Sequence, residues 1–236
     1  MDRPYIVCHI LSALDGKISG AFAGTKAAQA ASEEYARIRS AYRAEAWLYG
    51  TTTTKEFTQY RKPVLEPSCG DVPDGDYIAE TDLRFYYISL DTAGEIGWES
   101  GTFQKPGRPD AHVIEILTEE TSTAYRAYLR KKGISYIIAG DTSLDCKVAT
   151  EKLKRLFMID TILICGGGTV NWTFIQQGVV DELSLLLAPA ADGDPSTPTV
   201  FEKSELLDVT VPVEFQLKNA EQLKDSGIRL TYLVKQ

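Results

Sequence analysis

The residues best suited to chemistry are Gly166-Gly167-Gly168, which follow the short apolar run Thr161 to Cys165 without a spacer. Such a run reads as a strand buried on both faces. A helix-length pattern with Val170, Phe174 and Ile175 on one side comes next, and Gly178 ends it. A strand running through glycines into a helix N-terminus collects unencumbered backbone N–H groups and a positive dipole end at one point. That arrangement suits phosphate or another anion. Glycines after a strand also serve simply to let a helix pack closely on a sheet, and the run alone leaves both readings open. The spacing is neither the dinucleotide G-x-G-x-x-G nor a P-loop, since no Lys-Ser/Thr follows.

Other polar candidates lie on strands or at their ends. Asp15, in the pair Asp15-Gly16, is either a polar group in a pocket or the shaper of a turn. His9 sits in the first strand, where alternation sets it opposite Cys8 and Ile10 and favours a core histidine over a proton donor. Cys165 reads as a small apolar filler at a strand end, with nucleophile as the alternative. Arg61 and Lys62 lie on a long loop, and either meet a substrate phosphate or stay solvated.

The elements that must position these groups alternate along the chain. Strands are expected at 5–14, 46–49, 85–90, 112–117, 134–139, 161–165 and 183–187, with helices at 32–44, 121–132, 147–157 and after Gly168. Gly50 and Thr51 to Thr54 form a second strand-Gly-hydroxyl junction, either an anion contact or the cap of a helix. Arg37, Arg39 and Arg43 read mostly as the solvated side of the first helix, with Arg39 also able to face a site. A hairpin edge is expected at Ile96-Gly97-Trp98, and 59–78, with Cys69 at its centre, is a covering loop or an insertion. Residues 211–217 and 228–234 alternate as a closing antiparallel pair. The fold class is therefore α/β, a mainly parallel sheet flanked by helices with an antiparallel C-terminal edge, in one domain over 1–236. In such sheets ligands bind beyond the carboxyl ends of strands, where Asp15, Gly50, Thr118, Gly140 and Gly166 all fall.

Composition narrows the partners. The chain has 236 residues, 44% of them hydrophobic, and a formal net charge of −8 with scattered Lys and Arg. Nucleic acid is an unfavourable partner for that balance, so any bound phosphate must be held locally. Four dispersed cysteines and two histidines make a zinc cage improbable. Without a leader pattern or an apolar run of spanning length, the expectation is a soluble cytoplasmic protein with no membrane partner.

Several elements together resemble one family. They are Leu14-Asp15-Gly16-Lys17-Ile18, the helix containing Arg39, the strand ending in Gly50-Thr-Thr-Thr53, and Gly-Gly-Gly…Val-Asp-Glu-Leu…Pro-x-x-Asp-Gly. The order and separation resemble the reductase domain of the bifunctional riboflavin-biosynthesis protein (the RibD C-terminal domain), with a dihydrofolate reductase-like fold, from about residue 3 onward. The resemblance implies a pyrimidine reductase moving hydride from NADPH, with NADH also possible, to a small heterocyclic substrate, and a homodimer. It implies cofactor contacts from Gly166, Gly167, Gly168, Thr169, Val170 and Asn171 on the pyrophosphate and ribose side. Gly50, Thr51, Thr52 and Thr53 would take the other phosphate side, Thr118 and Gly140 the adenosine, and Leu11 the nicotinamide. Asp15, Cys165 and Arg39 would face the substrate, with Asp15 as the catalytic polar group and no metal. A cis Gly166–Gly167 peptide is also implied. The related zinc deaminase domain has no counterpart in this sequence.

The departures concern the substrate pocket. Riboflavin reductases carry Glu where this chain has Cys165, Lys where it has His9, Ser where it has Ala13, and Asp near Phe57. A non-catalytic dinucleotide-binding dimer of the same fold is the alternative reading, and a reductase of another pteridine or pyrimidine a further one. For cofactor choice, Thr51 and the pair Glu119-Glu120 offer no cation to a 2′-phosphate. A carboxylate there would disfavour that phosphate by on the order of 1 kcal/mol and leans towards NADH. Lys26, Lys55, Arg84 and Lys147 are the cations that could reverse that lean.

Overall fold

The structure is a computed structural model that describes residues 2–66, 72–204 and 210–235. In chain order the strands and helices are β1 (Tyr5–Ser12), α1 (Lys26–Ala41), β2 (Ala46–Tyr49), α2 (Thr51–Phe57), β3 (Tyr86–Leu90) and β4 (Thr102–Phe103). They continue with β5 (Ala111–Leu117), α3 (Thr123–Lys131), β6 (Ser135–Ile138), α4 (Cys146–Phe157), β7 (Thr161–Ile164) and α5 (Gly168–Gln176). β8 (Glu182–Leu187), β9 (Phe215–Gln222) and β10 (Ile228–Val234) complete the order. The chain packs as two compact units, Tyr5–Ala44 with Thr161–Gln236, and Met1–Pro4 with Glu45–Asp160. Cys69 lies outside the described residues.

In the first of these units β1 is the central strand. It runs parallel to β7, with Cys8 opposite Ile164, and parallel to β8, with Ser12 opposite Leu187. β10 is antiparallel to β8, and β9 is antiparallel to β10, with a register shift between Thr231 and Tyr232. Ile6, Val7, Cys8, Ile162, Leu163 and Ile164 are all fully buried. That is the pattern expected of parallel strands covered on both faces. The other unit pairs β2 with β3, β3 with β5 and β5 with β6, all parallel, while β4 pairs antiparallel to the start of β5. The expected mixture of a mainly parallel sheet and an antiparallel C-terminal edge is what the strands form.

Three local expectations are corrected. Helix α1 begins at Lys26 rather than Ser32, because Thr25 caps it by accepting the Ala28 N–H at 3.1 Å. The alanine-rich run 27–31 then extends the helix forward, and Ser32 sits inside it, bonded to the Ala28 carbonyl. Residues 96–98 form no strand. Side chains satisfy that backbone instead, since the Asp91 carboxylate accepts the Glu95 and Ile96 N–H groups and the Tyr128 hydroxyl accepts the Trp98 N–H. β9 starts at Phe215 rather than Val211, whose backbone N–H and C=O are both taken by the Gln176 side chain.

Candidate active site

In the unit built on β1, the parallel order β7-β1-β8 delivers three chain segments to one sheet edge. These are Ala13 to Lys17 after β1, Cys165 to Gly168 after β7, and Ala188 to Asp194 after β8. Positive φ values at Gly166 (143°) and Gly167 (95°) turn the chain from β7 into α5. No cis peptide occurs among the described residues, which corrects the expected cis Gly166–Gly167 bond. The two glycine conformations reverse the chain with a trans bond and avoid the roughly 2.5–4 kcal/mol of a non-proline cis peptide.

Gly168, Thr169 and Val170 occupy the first turn of α5, where N–H groups have no intrahelical partner. Those three groups meet no acceptor among the described residues. A Cβ on Gly167 would meet only the Val170 side chain, at 3.5 Å, so the approach to the turn is open. Gly168 is different: a Cβ there would lie 2.2 Å from the Thr199 carbonyl oxygen. The chain from Thr199 to Glu202 braces this helix start, with the Glu202 N–H on the Gly168 carbonyl and the Asn171 amide on the Val200 carbonyl. Asn171 Oδ1 is buried without a hydrogen-bond partner.

Asp15 is exposed, and its carboxylate organises a loop. Oδ2 accepts the Gly193 N–H at 2.7 Å and the Asp192 N–H at 3.0 Å. The hydrogen bond from Gly193, joined by those from Asp192, its own amide and Lys17, holds this carboxyl below its ordinary value against the opposing effect of desolvation. Two of the sequence's Asp-Gly pairs, 15-16 and 192-193, therefore dock on each other. Asp192 in turn accepts the Phe22 N–H, and Lys17 Nζ donates to the Thr197 carbonyl at 2.7 Å. Thr199 is a structural organiser that sequence spacing did not single out, whereas Lys17 and Asp192 stood in the Leu-Asp-Gly-Lys-Ile and Pro-x-x-Asp-Gly elements without an assigned role. Asp15→Asn should disorder this loop, while the neutral pH profile of turnover keeps its shape because the group stays ionised throughout. A rate profile that lost a limb between pH 6 and 8 in the variant would contradict this assignment.

Leu11 is half-buried near the end of β1, packed with Ala13, Phe22 and Ala188. Cys165 is a buried cysteine outside any disulfide, one residue past β7. Arg39 is not brought to this edge. It is buried on α1, over the Tyr35 ring at 5.6 Å, one turn before Tyr42, whose hydroxyl bonds Glu182 at the start of β8. A helix that leaves the end of β1 runs back along the sheet, so its last turn returns to the opposite edge. The solvated-side reading of Arg39 is corrected with it. His9 is a core histidine, stacked on Tyr35 with ring centroids 4.3 Å apart and bonded to Ser184 Oγ and the Tyr35 carbonyl. Burial pushes its pKa down to about 4, so it offers no cation where riboflavin reductases carry Lys.

The unit built on β2 to β6 has its own strand-end edge. Gly50 is the N-cap of α2 with no side-chain cap hydrogen bond, so Thr51 to Thr54 form its first turn rather than its cap, and Thr51 Oγ1 donates to the Leu90 carbonyl at 2.6 Å. Thr52 is exposed and Thr53 half-buried in the same turn. Thr118 and Gly140 are joined through the hydrogen bond from Glu119 N to the Gly140 carbonyl. The cation missing from the sequence reading is Arg126 on α3. Its Nη2 donates to the Glu119 carbonyl at 2.9 Å and pairs with Glu119 Oε2 at 3.2 Å. The side chain is buried, and its Nε has no hydrogen-bond partner. Nothing in the spacing of Arg126 to Glu119 announces this, since the α3 backbone must first fold over the loop.

A parallel α/β sheet with an open helix start beyond a Gly-Gly-Gly turn defines a class of anion-holding, nucleotide-type folds. The family that matches is the RibD C-terminal domain, over residues 107–228, more than half of the chain. This chain belongs to that family. It is similar to the 2,5-diamino-6-ribosylamino-4(3H)-pyrimidinone 5′-phosphate reductase of Methanothermobacter thermautotrophicus, 23% identical over 99% of both chains. The reductase of the same name from Archaeoglobus fulgidus is 25% identical, with 87% of this chain and 89% of the relative covered. A pyrimidine reductase-like protein from Corynebacterium diphtheriae shares the fold, with a TM-score of 0.68 and 18% identity, covering 99% of this chain and 92% of that one. The chain is an oxidoreductase of the pyrimidine reductase type, and a reductase of this family implies a nicotinamide cofactor. No helix among the described residues is long and apolar enough to cross a membrane.

Proposed function

We propose that this chain reduces a ribosylamino-pyrimidinone 5′-phosphate with NADPH, as a step of riboflavin biosynthesis. The observation that carries the reading is the start of α5, with three N–H groups open beyond β7. Its donors fit a dinucleotide pyrophosphate in charge and in access. In this reading Gly166 to Asn171 hold the pyrophosphate and its ribose, and Leu11 lies beside the nicotinamide. Gly50 and the Thr51, Thr52 and Thr53 hydroxyls serve the remaining phosphate side, while Thr118 and Gly140 border the adenosine. The bound cofactor would supply the hydride. Asp15 shapes the loop that covers the substrate, and Cys165 faces it. The relatives' names favour the 2,5-diamino pyrimidinone over the uracil form as substrate. The single-domain reading of the whole chain goes with this proposal, because the first of those relatives aligns end to end. Oxidation of NADPH by either pyrimidine, followed by absorbance, tests it; no turnover with both would end the catalytic reading.

Cofactor choice follows from Arg126. Glu119 carries its own counter-ion, so it repels a 2′-phosphate less than a lone carboxylate. We expect NADPH to bind about tenfold tighter than NADH, the margin shrinking with salt. Glu119→Gln should widen the margin by roughly twofold to fivefold, as for a partly screened ion pair. Equal dissociation constants at two salt concentrations would refute the assignment.

A non-catalytic dinucleotide-binding dimer is the second reading, and the engagement of the ionised Asp15 by loop amides favours it over a proton-donating role. Binding of dinucleotide without oxidation by any pterin or pyrimidine would support that alternative. A homodimer is part of both proposals. β9 is an edge strand, and Leu217, Ile228 and Leu233 are exposed on the β9–β10 ribbon. Sedimentation as a monomer at micromolar concentration would remove it. A cytoplasmic location accompanies the metabolic role.

A further inference from the structure

The unit built on β2 to β6 holds a cavity of about 500 Å3 on the outer side of α3. Its floor is the half-buried Tyr128, with Ala124 and Ala127 beside it, three residues apart on α3, while Trp98 lies beneath, 4% exposed. The two aromatic residues are locked together. Trp98 N–H donates to the Tyr128 hydroxyl at 2.7 Å, and that hydroxyl donates to the Trp98 carbonyl at 2.8 Å. Trp98 Nε1 is further anchored on Glu115 Oε1. A rigid, flat, largely apolar floor beside two small side chains accepts a planar ring.

The walls are cationic. Arg61 and Lys62 from the loop after α2 and Lys131 and Lys132 from the end of α3 line it, and Glu66 is the one carboxylate among the described lining residues. Glu66 is paired with Lys131, and Arg61 with Glu99. Lys132 reaches only a carbonyl, that of Glu99, and Lys62 forms no ion pair among the described residues. Among the described residues, two cations thus remain without a carboxylate around one cavity of a chain whose formal net charge is −8. A concave site of this size and sign concentrates anions. Its lysines stand apart from the strand-end edge of its own unit, although Ala124, in the first turn of α3, also lines it. Lys131 and Lys132 lie at the far end of α3 from Thr118, and nine helical residues at about 1.5 Å each separate the two by roughly 13 Å.

We propose that this cavity is a second ligand site, taking a planar aromatic molecule that carries a phosphate group. The ring lies on Tyr128 between Ala124 and Ala127, and the phosphate meets Lys62 and Lys132. The site is independent of the dinucleotide cradle and of the reduction proposed above. Calorimetric titration of the full chain with adenosine 5′-monophosphate tests it, with adenosine and inorganic phosphate as separate arms, each with and without saturating NADP+. The expected result is binding of the monophosphate that persists with NADP+, with both fragments about tenfold weaker or more. The exposed double substitution Lys62→Ala/Lys132→Ala should weaken the monophosphate by about tenfold or more, and Gly167→Ala, in the cradle, should leave it unchanged. No binding at millimolar monophosphate, loss of binding on adding NADP+, or indifference to the double substitution would each overturn the site. If NADP+ itself fails to bind, the reductase reading falls while the lysine dependence still decides this one.

Discussion

Gly168→Ala should lower the melting temperature by about 5–10 °C and abolish dinucleotide binding, whereas Gly167→Ala should fold with a smaller loss of stability and still lose binding. The difference lies in what each added methyl meets. At Gly168 the Cβ would stand 2.2 Å from the Thr199 carbonyl oxygen, and backbone on both sides must move. Overpacking of that kind costs about 1–3 kcal/mol. It would also loosen the brace from Val200 and Glu202 to α5 that sets the helix start. At Gly167 the Cβ meets Val170 at 3.5 Å, an ordinary contact, and the penalty is the positive φ of 95°. For a residue with a side chain that costs roughly 1–2 kcal/mol. The methyl nonetheless projects beside the open N–H groups and should weaken NADPH by about tenfold or more. Thermal scans and dinucleotide titrations of both variants separate the two effects. A Gly168→Ala protein as stable as the parent would mean that 199–202 does not brace the helix.

Glu115→Gln should stabilise the protein above pH 5, increasingly as pH rises. Glu115 lies in the middle of β5, fully buried, with Oε1 accepting from Trp98 Nε1 and Oε2 without a hydrogen-bond partner. Burial, then the nearby Asp91 carboxylate, push its pKa well above the ordinary 4.5, against the Trp98 hydrogen bond that favours the charged form. The folded state therefore keeps a proton that the unfolded chain releases once pH passes about 4.5. Stability then falls as pH rises towards the folded pKa, by at most about 1.4 kcal/mol per pH unit. Glutamine keeps an acceptor for Trp98 and does not titrate, so its curve should be flat where that of the parent declines. Denaturant titrations of both proteins at pH 5, 6.5 and 8 check this. Parallel curves would show that Glu115 is not held neutral.

Local physics carried much of the reading from sequence. Thr161 to Cys165 announced a doubly buried strand because four apolar residues, 162–165, suit no exposed surface, and the glycines after it announced a turn because only glycine adopts the φ values of Gly166 and Gly167 freely. The alternation of strands and helices and the antiparallel C-terminal pair were legible for the same reason: each depends on neighbours within a few residues. His9 was recognisable as a core residue from alternation along β1. What Asp15, Arg39, Glu119 and Gly168 do was decided elsewhere. Asp15 is organised by amides 177 and 178 residues away, and Gly168 by a carbonyl at Thr199. Arg39 is buried because α1 turns back along the sheet, and Glu119 gains Arg126 because α3 folds over its own loop. The order β7-β1-β8 chooses which strand ends become neighbours, and no spacing in the sequence states that order. Hydrophobic periodicity sets which face of an element is buried; the partner of a polar group depends on where the other elements come to rest, and only the assembled tertiary structure determines that.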